Sequence, residues 1–237
     1  LGQIRDGLTE AQRVREMLSA SADLPALLRD TGAALGGHGA LVDHLARALV
    51  PSPPTERGQG NFIAAGYDHA LDALRETSGN ARKAIAALEA RYREDTGTPS
   101  LKIKHNKVLG YFIETTATHA AKMQSAPMSE TYIHRQTTAN QVRFTTVELS
   151  EIETKILNAG NLALEIEKRL YQRLCSAILD CAARLNQAAR GFAEIDLVTA
   201  LADLARGENW THPRVDTSRA FHVDGGRHPV VEQALRQ

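Results

Sequence analysis

Two long stripes of apolar residues at helical spacing, separated by about fifty residues of a different character, constrain this chain more than any other feature of it. In the first stripe Tyr67, Leu71, Leu74, Ser78, Ala81, Ile85, Leu88 and Tyr92 recur every three or four residues, which keeps them on one face of a helix. With Gly97 as a stop signal, the spacing predicts a helix over residues 67–95, about 28 residues and roughly 40 Å long. The second stripe runs through Leu149, Ile152, Ile156, Ala159, Ala163, Ile166, Leu170, Leu174, Ile178, Ala182 and Leu185. It predicts one helix over 148–185, roughly 55 Å long. Neither stripe can be left in water, so the two helices should bury them against each other as antiparallel partners near their bases. Gly160, beside Asn158 and Asn161, costs about 1 kcal/mol relative to alanine and reads as tolerated within the second helix. After Arg190 and Gly191 the period resumes with Ile195, Val198, Leu201 and Leu204, predicting one more core helix.

Between the stripes, residues 97–146 favour strands. Leu101-Lys102-Ile103-Lys104 alternates with period two, His105-Asn106-Lys107 is turn-like, and Gly110 to Thr116 reads as a returning strand. Tyr132-Ile133-His134 and Gln141 to Thr145 supply two more strand candidates. The fold class that follows is mainly α: a helical core with two long helices carrying a small antiparallel β element at the tip. Aromatic residues at 5% and only 8 prolines agree with a helix-rich chain.

The first fifty residues predict short amphipathic helices. Thr9 with Gln12 reads as a capping box ahead of Val14, Met17 and Leu18; Asp23 precedes Leu24, Leu27 and Leu28; Gly36, Gly37 and Gly39 precede Leu41, Leu45 and Leu49. Pro51, Pro53, Pro54, Gly58 and Gly60 then require a loop or extended connection. At the other end, residues 213–237 read as strand and turn, with Arg219 to Val223 as the strand, and are too short to form a domain alone. Hydrophobic residues make up 43% of the 237, enough for a real core in one large domain or two small ones. No apolar run reaches the roughly 20 residues that span a bilayer. Two cysteines, Cys175 and Cys181, cannot pair within one helix and suit a reduced, cytoplasmic setting. A chain that starts at Leu1 without a signal pattern reads as a soluble piece of a longer protein.

Lys plus Arg and Asp plus Glu both number 28, so the whole-chain charge argues neither for nor against nucleic acid. Its distribution is more telling. Residues 97–146 carry six bases, Lys102, Lys104, Lys107, Lys122, Arg135 and Arg143, against the acids Glu114 and Glu130. That is a surplus of four positive charges on a body with a deficit of four, a usable footprint for a phosphate backbone. Lys102 and Lys104 share a strand face opposite Leu101 and Ile103 and could present ammonium groups to successive phosphates. Gln136, Thr137 and Asn140 can hydrogen-bond phosphates. The same lysines would equally protect a solvated edge strand from aggregation, and the polar residues would equally suit a turn.

Other chemistries find less support. The nine histidines show no metal-ligand spacing, there is no Gly-x-Ser-x-Gly elbow, and not one of the 17 glycines precedes a lysine as a phosphate loop requires. No catalytic or metal-ligating residue is expected. Asp72, Glu89 and Asp95, and Glu151, Glu153, Glu165 and Glu167, read as solvated helix faces with ion-pair partners.

Four ordered stretches resemble one family. Residues 100–114, containing Lys102-Ile103-Lys104-His105-Asn106-Lys107 and Gly110-Tyr111-Phe112, look like the clamp-entry segment of bacterial MutS DNA mismatch repair proteins. Tyr132-Ile133-His134-Arg135-Gln136-Thr137, with Asn140, Arg143-Phe144 and Glu148-Leu149, is similar to the clamp exit. Gly66-Tyr67-Asp68 with Leu71-Asp72 and Leu74-Arg75 resembles the first lever helix, and Gly226-Arg227-His228-Pro229 the opening of the ATPase domain.

The resemblance implies a helical core and first lever over 1–98, a clamp over 99–146, a second lever and core helix over 147–212, and the start of an ATPase domain over 213–237. It implies contact with duplex DNA, through its backbone and without sequence reading, by Lys102, Lys104, Asn106, Lys107, Arg135, Gln136, Thr137, Asn140 and Arg143. The levers would couple clamp closure to the ATPase. For the whole protein it implies ATP and magnesium as cofactors, a homodimer, downstream mismatch repair proteins as partners, no membrane and a cytoplasmic location. The mismatch-reading Phe-x-Glu motif, phosphate loop, magnesium-binding acid and dimer-forming segment would lie outside this stretch, which should bind no cofactor and not hydrolyse ATP. The competing readings are a coiled-coil scaffold with a solvated basic tip, a helical enzyme with an active site among its histidines and carboxylates, and an RNA-binding arm.

Overall fold

The computed structural model describes residues 1–55 and 60–235; Gly58, part of the expected Pro/Gly connection, lies outside the described residues. In chain order come helices α1 (Gly2–Ser19), α2 (Ala26–Ala34), α3 (Gly39–Ala48) and α4 (His69–Thr96), strands β1 (Lys102–Asn106) and β2 (Gly110–Thr116), and helix α5 (Ala117–Met123). A 3-10 turn (Met128–Glu130), β3 (Ile133–Thr137), β4 (Gln141–Thr145), α6 (Val147–Leu179), α7 (Ala182–Gly207) and α8 (Pro229–Leu235) follow. The chain is mainly α with one small sheet, divided into compact units over 1–193 and 194–237.

In the first unit α4 and α6 pack antiparallel through the two stripes. Every member of the α4 stripe is buried or half-buried, as are those of α6. Both helices start on side-chain caps: Asp68 accepts from the Leu71 amide at 2.9 Å, and Thr146 from that of Leu149 at 3.1 Å. Gly97 ends α4 in the left-handed conformation at φ 62°, as a glycine stop should. The Tyr92 hydroxyl meets Thr146 Oγ1 at 2.6 Å, tying the end of one long helix to the start of the other.

The sheet has the order β1-β2-β4-β3, all antiparallel. One core cluster joins it to the helices: Leu101, Ile113, Val142 and Phe144 pack with Ile85, Leu88, Tyr92 and Leu149, and with Ala120 and Met123 of α5. A second cluster at the other end of the long helices joins Leu71, Leu170, Leu174 and Ile178 to Leu8, Leu41, Leu45 and Ile63. Between them the helices are lined by small residues, Ser78, Gly79, Ala159, Gly160 and Ala163, around a cavity of about 400 Å³.

Several expectations need correction. Thr9 is not a cap but lies inside α1, where its hydroxyl bonds the Arg5 carbonyl at 2.9 Å; the apolar residues Ile4 and Leu8 extend the helix upstream of the polar signal. α2 begins after Pro25, its N-cap residue, rather than at Asp23, because the residue before a proline is disfavoured in the helical region and Leu24 stays outside. The helix expected over 148–185 is interrupted at Asp180 and Cys181, where the Cys181 amide bonds back only three residues, to the Ile178 carbonyl, at 3.0 Å; both residues have low helix propensity. Conversely, Gly191 does not break α7. A Cβ there would meet Leu35 Cδ2 at 3.3 Å and the Thr31 carbonyl at 3.4 Å, so the glycine permits close approach to α2.

β1 continues through Asn106, which moves the hairpin turn from residues 105–107 to 107–109. α5 adds a helix inside a stretch where only strands are expected, although Ala117, Ala120 and Ala121 carry a helical signal. Glu167 is not on a solvated face; it is 4% exposed and bonds Arg75 and the Asn61 amide. In the second unit α7 continues as the expected helix, with Leu201 and Leu204 53% and 42% exposed. Arg219 to Val223 form no strand: none of the described residues pairs with them, and a strand requires a hydrogen-bonded neighbour.

The β1–β2 turn closes on Gly110, at φ 68°, where an added Cβ would collide with Glu153 Oε1. That oxygen accepts from the Tyr111 amide at 3.0 Å. Gly110→Ala should therefore lose about 2 kcal/mol from left-handed strain and the displaced carboxylate. Gly160→Ala, in a helix interior with nothing within 4 Å of the new methyl, should gain about 0.5–1 kcal/mol. Urea denaturation of both variants checks the pair, and similar effects of the same sign would refute it.

Candidate nucleic-acid interface

The pairing register places the sequence-nominated residues individually. Lys102 lies opposite Glu114, Glu114 opposite Arg143, and Arg143 opposite Gln136. Directly opposed residues project from the same face of a sheet. Lys102, Glu114, Arg143 and Gln136 thus form one row across all four strands, about 14 Å wide at the usual strand spacing. Lys104 and Asn106 share this face by alternation along β1. The other face holds Ile113, Val142 and Phe144 and is the one buried against the long helices and α5.

Glu114 sits at the centre of the row and is only 5% exposed. It accepts a bond from Lys104 Nζ on one oxygen and from Arg143 Nε on the other, the latter at 3.2 Å. Arg143 is held further by Nη1 donating to Gln136 Oε1 at 2.8 Å and by the Phe112 ring, whose centroid is 4.7 Å from the guanidinium carbon. Phe112 is 3% exposed, so these polar side chains roof an aromatic ring on an otherwise outward face.

Burial pushes the Glu114 carboxyl up, but the hydrogen bonds and charges of Lys104 and Arg143 outweigh it and hold the carboxyl below its ordinary range. A folded-state value below the unfolded one contributes stability that is present above the unfolded value and is lost as pH falls through the folded one. The wild-type chain should therefore lose stability on acidification below the ordinary carboxylate range more steeply than Glu114→Gln does. Urea midpoints at neutral and acidic pH measure this, and parallel losses would refute it.

The remaining nominees are distributed differently. Arg135 is the extra residue of a bulge between His134 and Gln136, and it is exposed; a bulge re-aims its side chain. Thr137, opposite Val142, shares the core-side parity and bonds His134 Nε2 at 2.9 Å. Asn106 Oδ1 accepts from the amides of Val108 and Leu109 at 2.9 and 2.7 Å, so its oxygen shapes the turn. Lys107 and Asn140 lie at turns on opposite ends of the sheet, roughly 20 Å apart along β2. The structure thus brings together Lys102, Lys104, Gln136 and Arg143, with Arg135 beside them, and separates Lys107 from Asn140. Among the described residues, Lys102, Lys107 and Arg135 make no ion pair.

Sequence reasoning missed Glu114 as part of the site. The available signal was an acid at the same parity as Phe112 in a strand of otherwise apolar and β-branched residues. No group of three or more His, Cys, Asp or Glu among the described residues could hold a metal ion. None of the described helices is long and apolar enough to cross a membrane.

The family model "MutS family domain IV" matches residues 66–161, from the turn before α4 through the sheet and into α6. A DNA mismatch repair protein MutS of Ruegeria sp. (strain TM1040) is 71% identical over 236 residues. Proteins of the same name are 62% identical in Ruegeria pomeroyi and 58% identical in Roseobacter denitrificans, each over 237 residues. Each match takes in 100% of this chain and 27% of the relative, so the chain spans about a quarter of the length of the curated relatives it matches.

Proposed function

The chain belongs to the MutS family of DNA mismatch repair proteins, and from that premise we propose that residues 99–146 form a clamp that grips the duplex DNA backbone without reading sequence. The observation that carries the reading is the cationic row on the sheet face turned away from the core, at the end of two antiparallel helices. In this reading α4 and α6 are levers. Their packed seam transmits movement of the helical core to the clamp, because a helix buried along one face moves as a rigid element.

The whole protein, on this reading, is a cytoplasmic homodimeric ATPase that uses ATP and magnesium and hands mismatches to downstream repair proteins, with residues 213–237 opening its ATPase domain. The residues present do not fit a nucleotide site. The glycine-rich turn Gly36-Gly37-His38-Gly39 leads into α3 without the lysine that a phosphate loop needs.

Fluorescence anisotropy with matched and mismatched duplexes at several salt concentrations tests the proposal. Binding should be weak and indifferent to sequence and mismatch. Its log–log dependence on salt should have a slope of about −0.9 for each phosphate neutralised. Reversing Lys102, Lys107 and Arg135 to Glu should weaken binding strongly, leaving at most the contact of the Lys104–Arg143 cluster, whereas reversing the exposed Arg13, Arg29 and Arg47 of the N-terminal helices should matter little. Equal losses from both sets, or a preference for the mismatch, would overturn the clamp assignment and favour a scaffold with a solvated tip.

A further inference from the structure

The centre of the basic face is an acid. Glu114 is 5% exposed, yet it sits on the outward parity of β2, between Lys102 on one neighbouring strand and Arg143 on the other. Both its oxygens are engaged, one by Lys104 and one by Arg143. Those two bases belong to the small set that the face could offer to phosphate, and the carboxylate offsets one of their two charges. An approaching phosphodiester must add to cations that already have an anionic partner, or take them from a carboxylate that burial holds in place. Coulomb attraction at contact distance is strong in a partly buried setting, so the pairing reduces what Lys104 and Arg143 can give to DNA.

We propose that Glu114 is an electrostatic brake on the clamp: it limits the Lys104–Arg143 cluster to one net phosphate contact and sets the strength of the backbone grip. This rests on the DNA-backbone reading of the same face. The physical sense of such a brake is that a contact which reads no sequence must also be released, and one fewer counterion-releasing contact shortens its lifetime. Lys104 is placed for the purpose. Its side chain is 49% exposed, against 22% for Arg143, so it is the member that can turn from carboxylate to phosphate, while Arg143 stays held by Gln136 and the Phe112 ring.

The test is anisotropy on a single duplex from 50 to 200 mM salt with the purified chain and its variants, folding being checked by circular dichroism. E114Q keeps an oxygen acceptor while removing the charge. It should bind more tightly, with a log–log slope steeper by about 0.9, so that its advantage over wild type grows about three- to fourfold between 200 and 50 mM salt. The double variant E114Q/K104Q restores the cluster's net charge and should return to the wild-type slope. If E114Q alone fails to fold, the double variant carries the test, because a slope shallower than wild type would then show that Glu114 serves geometry rather than charge. K102Q/R135Q, outside the cluster, separates the two hypotheses. If it leaves binding unchanged, the DNA reading of the face fails. If it weakens binding while folded E114Q binds no tighter than wild type, the brake alone is wrong.

Discussion

Truncating Phe144 to alanine should lower stability by about 4 kcal/mol, the cost of removing a fully buried aromatic side chain and leaving its cavity. Phe144 is 0% exposed, lies opposite Ile113, and packs edge-on to His134 with ring centroids 6.0 Å apart. It belongs to the cluster that holds the sheet on the ends of α4 and α6. The second cluster, around Leu45, Leu71 and Leu174, shares no buried residue with the first. The loss should therefore be local as well as large. Amide exchange in residues 102–145 should quicken strongly in Phe144→Ala, while amides near Leu45 and Leu174 stay protected under native conditions. A loss below about 1 kcal/mol by urea titration, far under the usual cost of such a truncation, or exchange quickened evenly across both clusters, would show that the sheet is not an independently failing module.

Replacing Glu167 with alanine should cost about 3 kcal/mol, since removing one partner of a buried ion pair leaves the others unsatisfied. Glu167 Oε1 accepts from Arg75 Nη2 at 2.8 Å across the helix seam, and Oε2 accepts from the Asn61 amide at 2.9 Å. Arg75 also reaches the Ile63 carbonyl at 3.0 Å, so a single carboxylate joins α6, α4 and the segment before α4. Part of the arginine is exposed, with 29% of its side-chain surface open, and water can recover some of what it loses; the expected value lies at the low end for a buried pair. The substitution Glu167→Gln keeps an acceptor for the Asn61 amide and should cost less than half as much. Equal losses in the two variants would show that packing rather than pairing sets the value of the site.

Three carboxylates expose a limit of reading helices from periodicity. Glu89, Glu153 and Glu167 lie outside the apolar stripes, and a one-helix pattern assigns them to solvent. In the structure each accepts from a backbone amide of another segment: Ile103 at 2.7 Å, Tyr111 at 3.0 Å and Asn61 at 2.9 Å. These amides belong to β1, β2 and the stretch before α4, where the helix-borne acids satisfy donors that the sheet and loop leave open. Nothing in the local sequence around Glu153 says that Tyr111 will be there.

Gly191 and Asp180 carry the same lesson. Glycine is a weak helix former on its own, yet Gly191 stays helical because α2 packs where a side chain would stand. Asp180 and Cys181 fall within a stripe that runs unbroken from Leu174 and Ile178 to Ala182 and Leu185, so the periodicity carries no warning of the interruption between α6 and α7.

The two stripes and the alternating segments by themselves determined that this chain would be two long helices flanking an antiparallel sheet, because a repeat of three or four residues or of two dictates which side chains share a face. The charge count over residues 97–146 determined that this segment would be basic. Only the tertiary structure decided which of those bases stand together, since cross-strand register joins Lys102, Glu114, Arg143 and Gln136 from positions far apart in the chain. It alone decided that Glu114 would be buried among them, because the value of a charge depends on which neighbours displace its water, and those neighbours come from other strands.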